Sequence, residues 1–169
     1  MVEMASKLTE ALKKIRCIAD YQFGRGVGSV LFPEDVAIVT SKRTGRIRHI
    51  YLKGELLATL RPLDGLFSLT VEGAKRIVEG GLANRMLVVV MDEAAPFVRQ
   101  GRNVFAKHVL DAAEEILPQE EVIVVNREGE VLAVGRAVLT GREMKLFKRG
   151  VAVQVRRGAG EPREGRGRT

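Results

Sequence analysis

The sequence has no tryptophan, a single cysteine and only 5% aromatic residues. A core built from it must therefore be mostly Val, Leu, Ile and Ala. One cysteine, Cys17, excludes an intramolecular disulfide. With only two widely separated histidines, His49 and His108, a Cys/His zinc site is excluded as well. No apolar run reaches the roughly 18 residues that a membrane span needs. Residues 1–16 are charged and amphipathic, unlike a signal peptide, so a cytoplasmic location away from membranes is expected. There is no Walker A pattern. The glycines at 24, 26 and 28 mimic a dinucleotide loop only superficially, because they follow an apparent helix and precede Pro33. Asp20, Glu34, Asp35 and Asp64 show no spacing that marks an acid/base pair. No cofactor is expected.

What the chain does have is apolar content and positive charge. Its 169 residues are 46% hydrophobic, enough for a buried core. Lys and Arg number 28 against 21 Asp and Glu, a formal net charge of +7. Such an excess attracts polyanions, and nucleic acid most of all, through counterion release. Many basic proteins are merely soluble, so charge alone does not decide. The distribution is uneven: residues 1–85 carry 14 cations and 9 anions, residues 86–169 carry 14 and 12.

Periodicity predicts a helix over residues 6–23 with Leu8, Ala11, Leu12, Ile15, Ile18 and Ala19 on one face, capped by Ser6 and broken near Gly24. Short strands follow around 36–39, 47–52, 55–60 and 66–70 with tight turns between them, an antiparallel meander. Thr70 reads as the N-cap of a helix over 71–79, stopped by Gly80 and Gly81. A domain boundary is placed there. The second half reads as a strand at 85–91, a short helix at 93–100 ending on Gly101, a strand at 104–110, strands at 121–125 and 131–138, a capping box at Thr140 and Glu143, and a last strand at 151–155. Residues 158–169 are rich in Gly, Arg and Glu and read as a flexible basic tail. The expected fold class is α+β: a helix-flanked antiparallel-sheet domain over 1–82, then a mixed β pseudo-barrel over 83–157.

In the second half, Met91-Asp92-Glu93-Ala94-Ala95-Pro96-Phe97-Val98-Arg99, Gly101-Arg102-Asn103-Val104-Phe105-Ala106-Lys107, Glu121-Val122-Ile123-Val124-Val125-Asn126, Val134-Gly135-Arg136-Ala137 and Arg149-Gly150-Val151 through Arg156 together resemble a PUA domain. In the first half, Ala19-Asp20-Tyr21-Gln22-Phe23-Gly24, Ser41-Lys42 with Gly45-Arg46-Ile47-Arg48, and Leu60-Arg61-Pro62-Leu63-Asp64-Gly65-Leu66 resemble the domain that precedes PUA in archaeal archaeosine tRNA-guanine transglycosylase. That family does its chemistry on a (β/α)8 barrel with aspartates and a zinc site. Such a barrel takes about 250 residues, so these 169 are expected to hold only the RNA-recruiting end, with no enzyme activity. The resemblance implies that the PUA domain grips the acceptor stem and 3′ end of tRNA, that the preceding domain helps to position it, and that the last strand lies beside the Gly101 loop.

Candidate RNA contacts follow. In the segment 99–107, Gly101 has no side chain to block a phosphate or base, Arg99, Arg102 and Lys107 meet phosphates, and Asn103 offers donors and acceptors to a base edge. As one strand, this segment would put Phe105 and Lys107 on one face. The bland reading is that Gly101 only caps a helix and Phe105 only packs. Arg149, Arg156 and Arg157 flank the last strand and could complete the basic face, or be a solvated strand end. Lys42, Arg43, Arg46 and Arg48 crowd a hairpin turn, where an anionic partner would relieve their repulsion. A charge run is otherwise just solvated surface. Tyr21 and Phe23 could stack on a base but fit core packing better. In the tail, Arg163, Arg166 and Arg168 between glycines suit weak single-strand binding or simple solubility.

The expectation is an accessory RNA-binding protein, probing tRNA by shape and ends, that serves a separately encoded transglycosylase or other RNA-modifying enzyme. The rival readings are a protein-interaction module docked on such an enzyme, and an undetected enzyme. The first reading requires Gly101 to be open and its arginines free of internal ion pairs.

Overall fold

The computed structural model describes residues 2–163. Its first half is a four-stranded antiparallel meander, β1 (Ala37–Thr40), β2 (Ile47–Leu52), β3 (Glu55–Leu60) and β4 (Phe67–Leu69), in that spatial order. Helices α1 (Val2–Phe23), α2 (Val27–Leu31) and α3 (Val71–Glu79) flank it. The glycine-rich corner is more than a break. Gly26, at φ 89°, opens α2, and Asp20 accepts the Gly28 N–H at 2.6 Å, so the chain turns tightly enough to start a second helix. Ser6 does not cap α1 but lies inside it, and Leu8 stays 52% exposed. Ile15, Ala19 and Phe23 are buried in the core and Leu12 and Ile18 pack against it, so the contact begins only around the middle of α1. Thr70 caps α3 as expected, accepting the Gly73 N–H at 3.1 Å.

The second half is a six-stranded mixed sheet in the order β6 (Val104–Phe105), β10 (Val151–Gly158), β9 (Val131–Ala137), β8 (Glu121–Val125), β5 (Leu87–Val90) and β7 (Val109–Ala112), with α4 (Ala95–Arg99) and α5 (Gly141–Leu146) packed against it. Only β5 and β8 are parallel. The expected single strand over 104–110 is two strands with a 3-10 turn, Ala106–His108, between them. The reason is topological. β6 and β7 are consecutive in the chain yet sit at opposite edges of the sheet, so the sheet must roll nearly shut and the strand must bend where it changes edge. Thr140 and Glu143 form the predicted capping box, with Glu143 N–H to Thr140 Oγ1 at 3.1 Å and Thr140 N–H to Glu143 Oε2 at 2.9 Å.

Two apolar clusters hold the molecule. One fills the pseudo-barrel with Val88, Val122, Leu132, Met144 and Val153. The other joins the halves: Ile15, Phe32, Ile50, Phe67 and Ile77 pack with Ile123, Val125 and Val134 from the outer side of the second sheet. Each such side chain taken fully from water contributes about 1.5–3 kcal/mol.

A polar device crosses the seam. β4 is an edge strand, and its register on β3 turns the N–H and C=O groups of Phe67 and Leu69 away from the sheet. Side chains pair both residues. The Gln22 amide accepts from Phe67 N–H at 2.7 Å and donates to Phe67 C=O at 2.9 Å. Glu121, 5% exposed, accepts from Leu69 N–H at 3.0 Å, while Arg156 donates to Leu69 C=O at 2.6 Å. Arg156 and Glu121 close the ring with a two-pronged ion pair at 2.6 and 2.8 Å. Arg61 lies alongside, bound to Asp64 at 2.9 Å with Nη1 3.8 Å from Glu121, close enough for charge attraction but without a hydrogen bond of its own. Burial raises the Asp64 pKa, but the Leu66 N–H bond, the Arg61 hydrogen bond and the charges of Arg61 and Arg136 outweigh it and hold that carboxyl below its ordinary value.

Glu121→Ala should destabilise the protein by about 2–4 kcal/mol, somewhat under the usual cost of breaking a buried pair because the Arg156 side chain is 36% exposed. Replacing Glu121 and Arg156 together by Met should not restore stability, since the Leu69 peptide groups would still lack partners at roughly 1–3 kcal/mol each. Urea unfolding of the two variants checks this, and full recovery in the double variant would refute the role given to Leu69.

Candidate nucleic-acid interface

The predicted contacts of the second half separate once folded. Gly101 does sit at φ 91° just beyond α4, donating its N–H to Val98 C=O at 3.0 Å. What approaches it, however, is the chain's own Glu161: a Cβ at Gly101 would lie 2.6 Å from Glu161 Oε1. Residues 158–161, read as the start of a flexible tail, fold back over this loop. Gly160 N–H binds Arg99 C=O at 2.9 Å, Ala159 N–H binds Leu132 C=O at 2.8 Å, and Glu161 accepts the Gly158 N–H at 2.6 Å. A carboxylate where RNA phosphate was expected is unfavourable to that phosphate. The Gly101-centred site of the sequence reading is therefore corrected. Glycine is needed there for its backbone angle and for Glu161.

The arginines sort in the same way. Arg156 is corrected from an RNA contact to half of the seam clamp. Arg99 pairs with Glu130 at 2.8 Å, though both remain partly exposed. Arg157 donates to Pro162 C=O. Asn103 spends its side-chain oxygen on Val155 N–H at 3.0 Å, which pins the entry to β6 against β10. Lys107 does not share a strand face with Phe105, because it lies in the 3-10 turn. Arg163 pairs with Glu55, and Arg166 and Arg168 lie outside the described residues.

Another group stays together. Phe105 is 45% exposed and meets His108 edge-on at 6.4 Å between ring centroids. It lies opposite Val151 across β6 and β10, and Ala106 N–H binds Gly150 C=O at 2.9 Å, which brings the loop of Lys148, Arg149 and Gly150 beside Lys107. α5 packs on the same turn and ends in Leu146 and Phe147, 67% and 46% exposed. Arg102, Lys107, Lys148 and Arg149 are exposed, and none takes part in an ion pair among the described residues. Exposed rings beside unpaired cations can hold both faces of a nucleotide, its base and its phosphate. Phe147, Leu146 and Lys148 were not singled out from the sequence, and nothing in a helix-end apolar residue distinguishes outward from inward before the fold is known.

In the first half the β1–β2 turn, residues 41–46, is closed by Ser41 N–H to Arg46 C=O and Gly45 N–H to Ser41 C=O, both 2.8 Å. Lys42, Arg43 and Arg46 are exposed on it, and Arg48 is the residue that the β1–β2 register skips. None has an ion-pair partner among the described residues. Tyr21 is 84% exposed, while Phe23 is core. No helix among the described residues is long and apolar enough to cross a membrane.

Comparison with known proteins agrees with this architecture. Residues 13–81 match the patch-forming domain C2 of tRNA-guanine transglycosylase, and residues 86–159 match the PUA domain. The tRNA-guanine(15) transglycosylase of Thermococcus kodakarensis is 50% identical over 149 residues, 88% of this chain but 25% of that protein. The enzyme of Methanothermobacter thermautotrophicus is 45% identical over 147 residues, 87% of this chain and 22% of the other. The chain thus spans about a quarter of the length of these relatives. Among solved structures, a hypothetical protein from Pyrococcus horikoshii superposes with a TM-score of 0.72 at 24% identity, covering 90% of this chain and 92% of that one. A conserved PUA domain protein from Thermoplasma acidophilum gives 0.64 at 18% identity, covering 91% of each. These two show the α+β fold.

Gly101→Ala should lower stability by about 1–2 kcal/mol through its backbone angle alone, with more added by the Glu161 contact. Combining it with Glu161→Gly should recover the added part only. If the cost is the same in both backgrounds, as read by thermal unfolding, the carboxylate does not rest on this loop.

Proposed function

From a chain that carries the C2 and PUA domains found together at the end of tRNA-guanine transglycosylases, we propose an RNA-binding protein that acts on tRNA by recognition rather than by chemistry. With Glu161 on the Gly101 loop and Arg99 and Arg156 paired internally, the reading no longer rests on that loop. The observation that carries it instead is the pair of solvent-facing cation groups without acidic partners among the described residues, one on each domain, on a molecule whose two halves share a core. Cations left unpaired by their own fold have their charge available for phosphate. Lys42, Arg43, Arg46 and Arg48 supply the larger attraction. Arg102, Lys107 and Arg149, with Phe105, supply a smaller surface in which an aromatic ring accompanies the charge.

The RNA feature that fits is a stem end with an unpaired strand, such as the acceptor stem and 3′ end of tRNA. A-form duplex is read by shape and backbone, whereas a ring such as Phe105 is useful only to an unstacked base. Delivery of tRNA to a separately encoded modifying enzyme completes the reading. The outward half of α1, with Val2, Met4 and Leu8 at 86%, 77% and 52% exposure, offers that enzyme a place to dock.

Binding of tRNA to the purified chain, followed by fluorescence anisotropy across a salt series, tests the proposal. Affinity should fall steeply with salt, and trimming the unpaired 3′ nucleotides should weaken it. Changing Lys42, Arg43, Arg46 and Arg48 to Gln should lower affinity at low salt and flatten the log–log salt slope by roughly one for each phosphate that is no longer neutralised. An unaltered slope removes the hairpin from the interface. Salt-insensitive or absent binding removes RNA recognition itself and leaves protein docking as the function.

A further inference from the structure

We propose that the outer face of the four-stranded sheet, where His49 and Tyr51 lie side by side on the strand that leaves the basic 41–46 turn, is a stacking platform for unpaired bases of an RNA strand. The inference rests on the RNA-binding reading above and assigns it a second contact surface, away from the PUA domain.

The face is defined by register. Val39 opposes His49, His49 opposes Thr59, and Thr59 opposes Ser68, which makes one row across all four strands. Tyr51 opposes Leu56 in the next row. Directly opposed residues share a sheet face, so these six lie together. None of them belongs to either apolar cluster, whereas Ile50, Ala58, Phe67 and Leu69, which point the other way, are all buried in the shared core. Val39 is 44% exposed. The other five are half-buried, so this side of the sheet is partly open while the opposite side is closed by the core.

Its chemistry is selective. The His49 and Tyr51 rings sit 6.3 Å apart between centroids, and His49 Nδ1 is 3.2 Å from Thr59 Oγ1, which holds the imidazole in place. In a chain with so few aromatics, a pair on a partly open sheet face is a concentrated use of them. Apart from Glu55, strands β1 to β4 contain no acidic residue. Glu55 opposes Leu52, which packs on the core, and is itself engaged by Arg163. The 41–46 turn that continues the face carries Lys42, Arg43 and Arg46 and no acid. Rings on a strand that begins at a turn of unopposed cations match a chain whose bases present π-faces and whose backbone is anionic. Paired bases in a duplex keep their faces stacked on one another, so the occupant is single-stranded.

The lack of tryptophan gives a direct test. Tyr21 and Tyr51 are the two tyrosines, and Tyr21 is 84% exposed, so in a Tyr21→Phe variant Tyr51 alone reports. An oligoadenylate of about ten nucleotides should quench this fluorescence, while a blunt RNA duplex should not. Tyr51→Leu, which keeps an apolar residue on the face, should weaken oligoadenylate binding on the order of 10-fold. If tRNA binds, yet neither RNA quenches Tyr51 and Tyr51→Leu binds oligoadenylate as tightly as its parent, the platform is overturned and the RNA-binding reading stands. If no RNA binds at all, both fall. Self-association that shields Tyr51 without any effect of RNA would also overturn the platform, in favour of strand pairing along β1.

Discussion

The free edge of β4 is the constraint on which the arrangement of the two halves depends. A three-residue strand at a sheet edge leaves two residues with peptide groups facing outward, and in the interior those groups must be bonded. Here the partners are side chains: the Gln22 amide at Phe67, and the Glu121–Arg156 pair at Leu69. Each supplies one donor and one acceptor, as another strand would. Since Gln22 comes from α1 and Glu121 and Arg156 come from the second sheet, satisfying β4 fixes both bodies against the first sheet. An amide and an Arg–carboxylate pair also place a register. Sliding the seam by one residue would present peptide groups already bonded to β3. The apolar cluster that Phe67 and Ile50 share with Ile123 and Val134 supplies most of the attraction without itself choosing that register.

This same clamp explains why most elements were legible in the sequence while the internal roles of Arg156 and Gly101 were not. Strands and helices announce themselves locally. Thr70 and Thr140 cap helices because of residues three positions on, and the meander follows from short apolar runs and tight turns. Arg156 does not announce its partner, which lies 35 residues earlier in the chain and belongs to another strand. By composition it was a cation at a strand end, indistinguishable from Arg149. Glu161 lay in a segment with almost no apolar residue, so nothing local suggested that it would settle on Gly101. The bend at 106–108 was hidden for a similar reason: Val104 to Leu110 is locally a plausible strand, and only closure of the sheet requires a corner there.

The corrected interface has a physical pattern. Cations close to the seam or to the C-terminal segment are paired internally, as with Arg61, Arg99 and Arg156. Those on the β1–β2 turn and around the 3-10 turn are not. An internally paired arginine is held by its partner and offers a phosphate little net charge, whereas an unpaired one retains both its charge and its freedom to adjust. The unpaired cations thus fall into two groups, one on each half, and leave the seam between the halves to paired ones.

That division bears on how one RNA could use both groups. With a shared core between the domains, the distance between the two cation groups changes little, so a ligand must be long or shaped enough to touch both. A flexible single strand could reach either surface but would lose entropy in spanning them. A folded RNA with a rigid stem and an unpaired end brings its own spacing, and the ordering cost has already been met in its folding. Two modest surfaces held at a fixed separation then discriminate by shape, as each alone would bind almost any polyanion, and affinity for the correct shape exceeds that of either surface without further contacts.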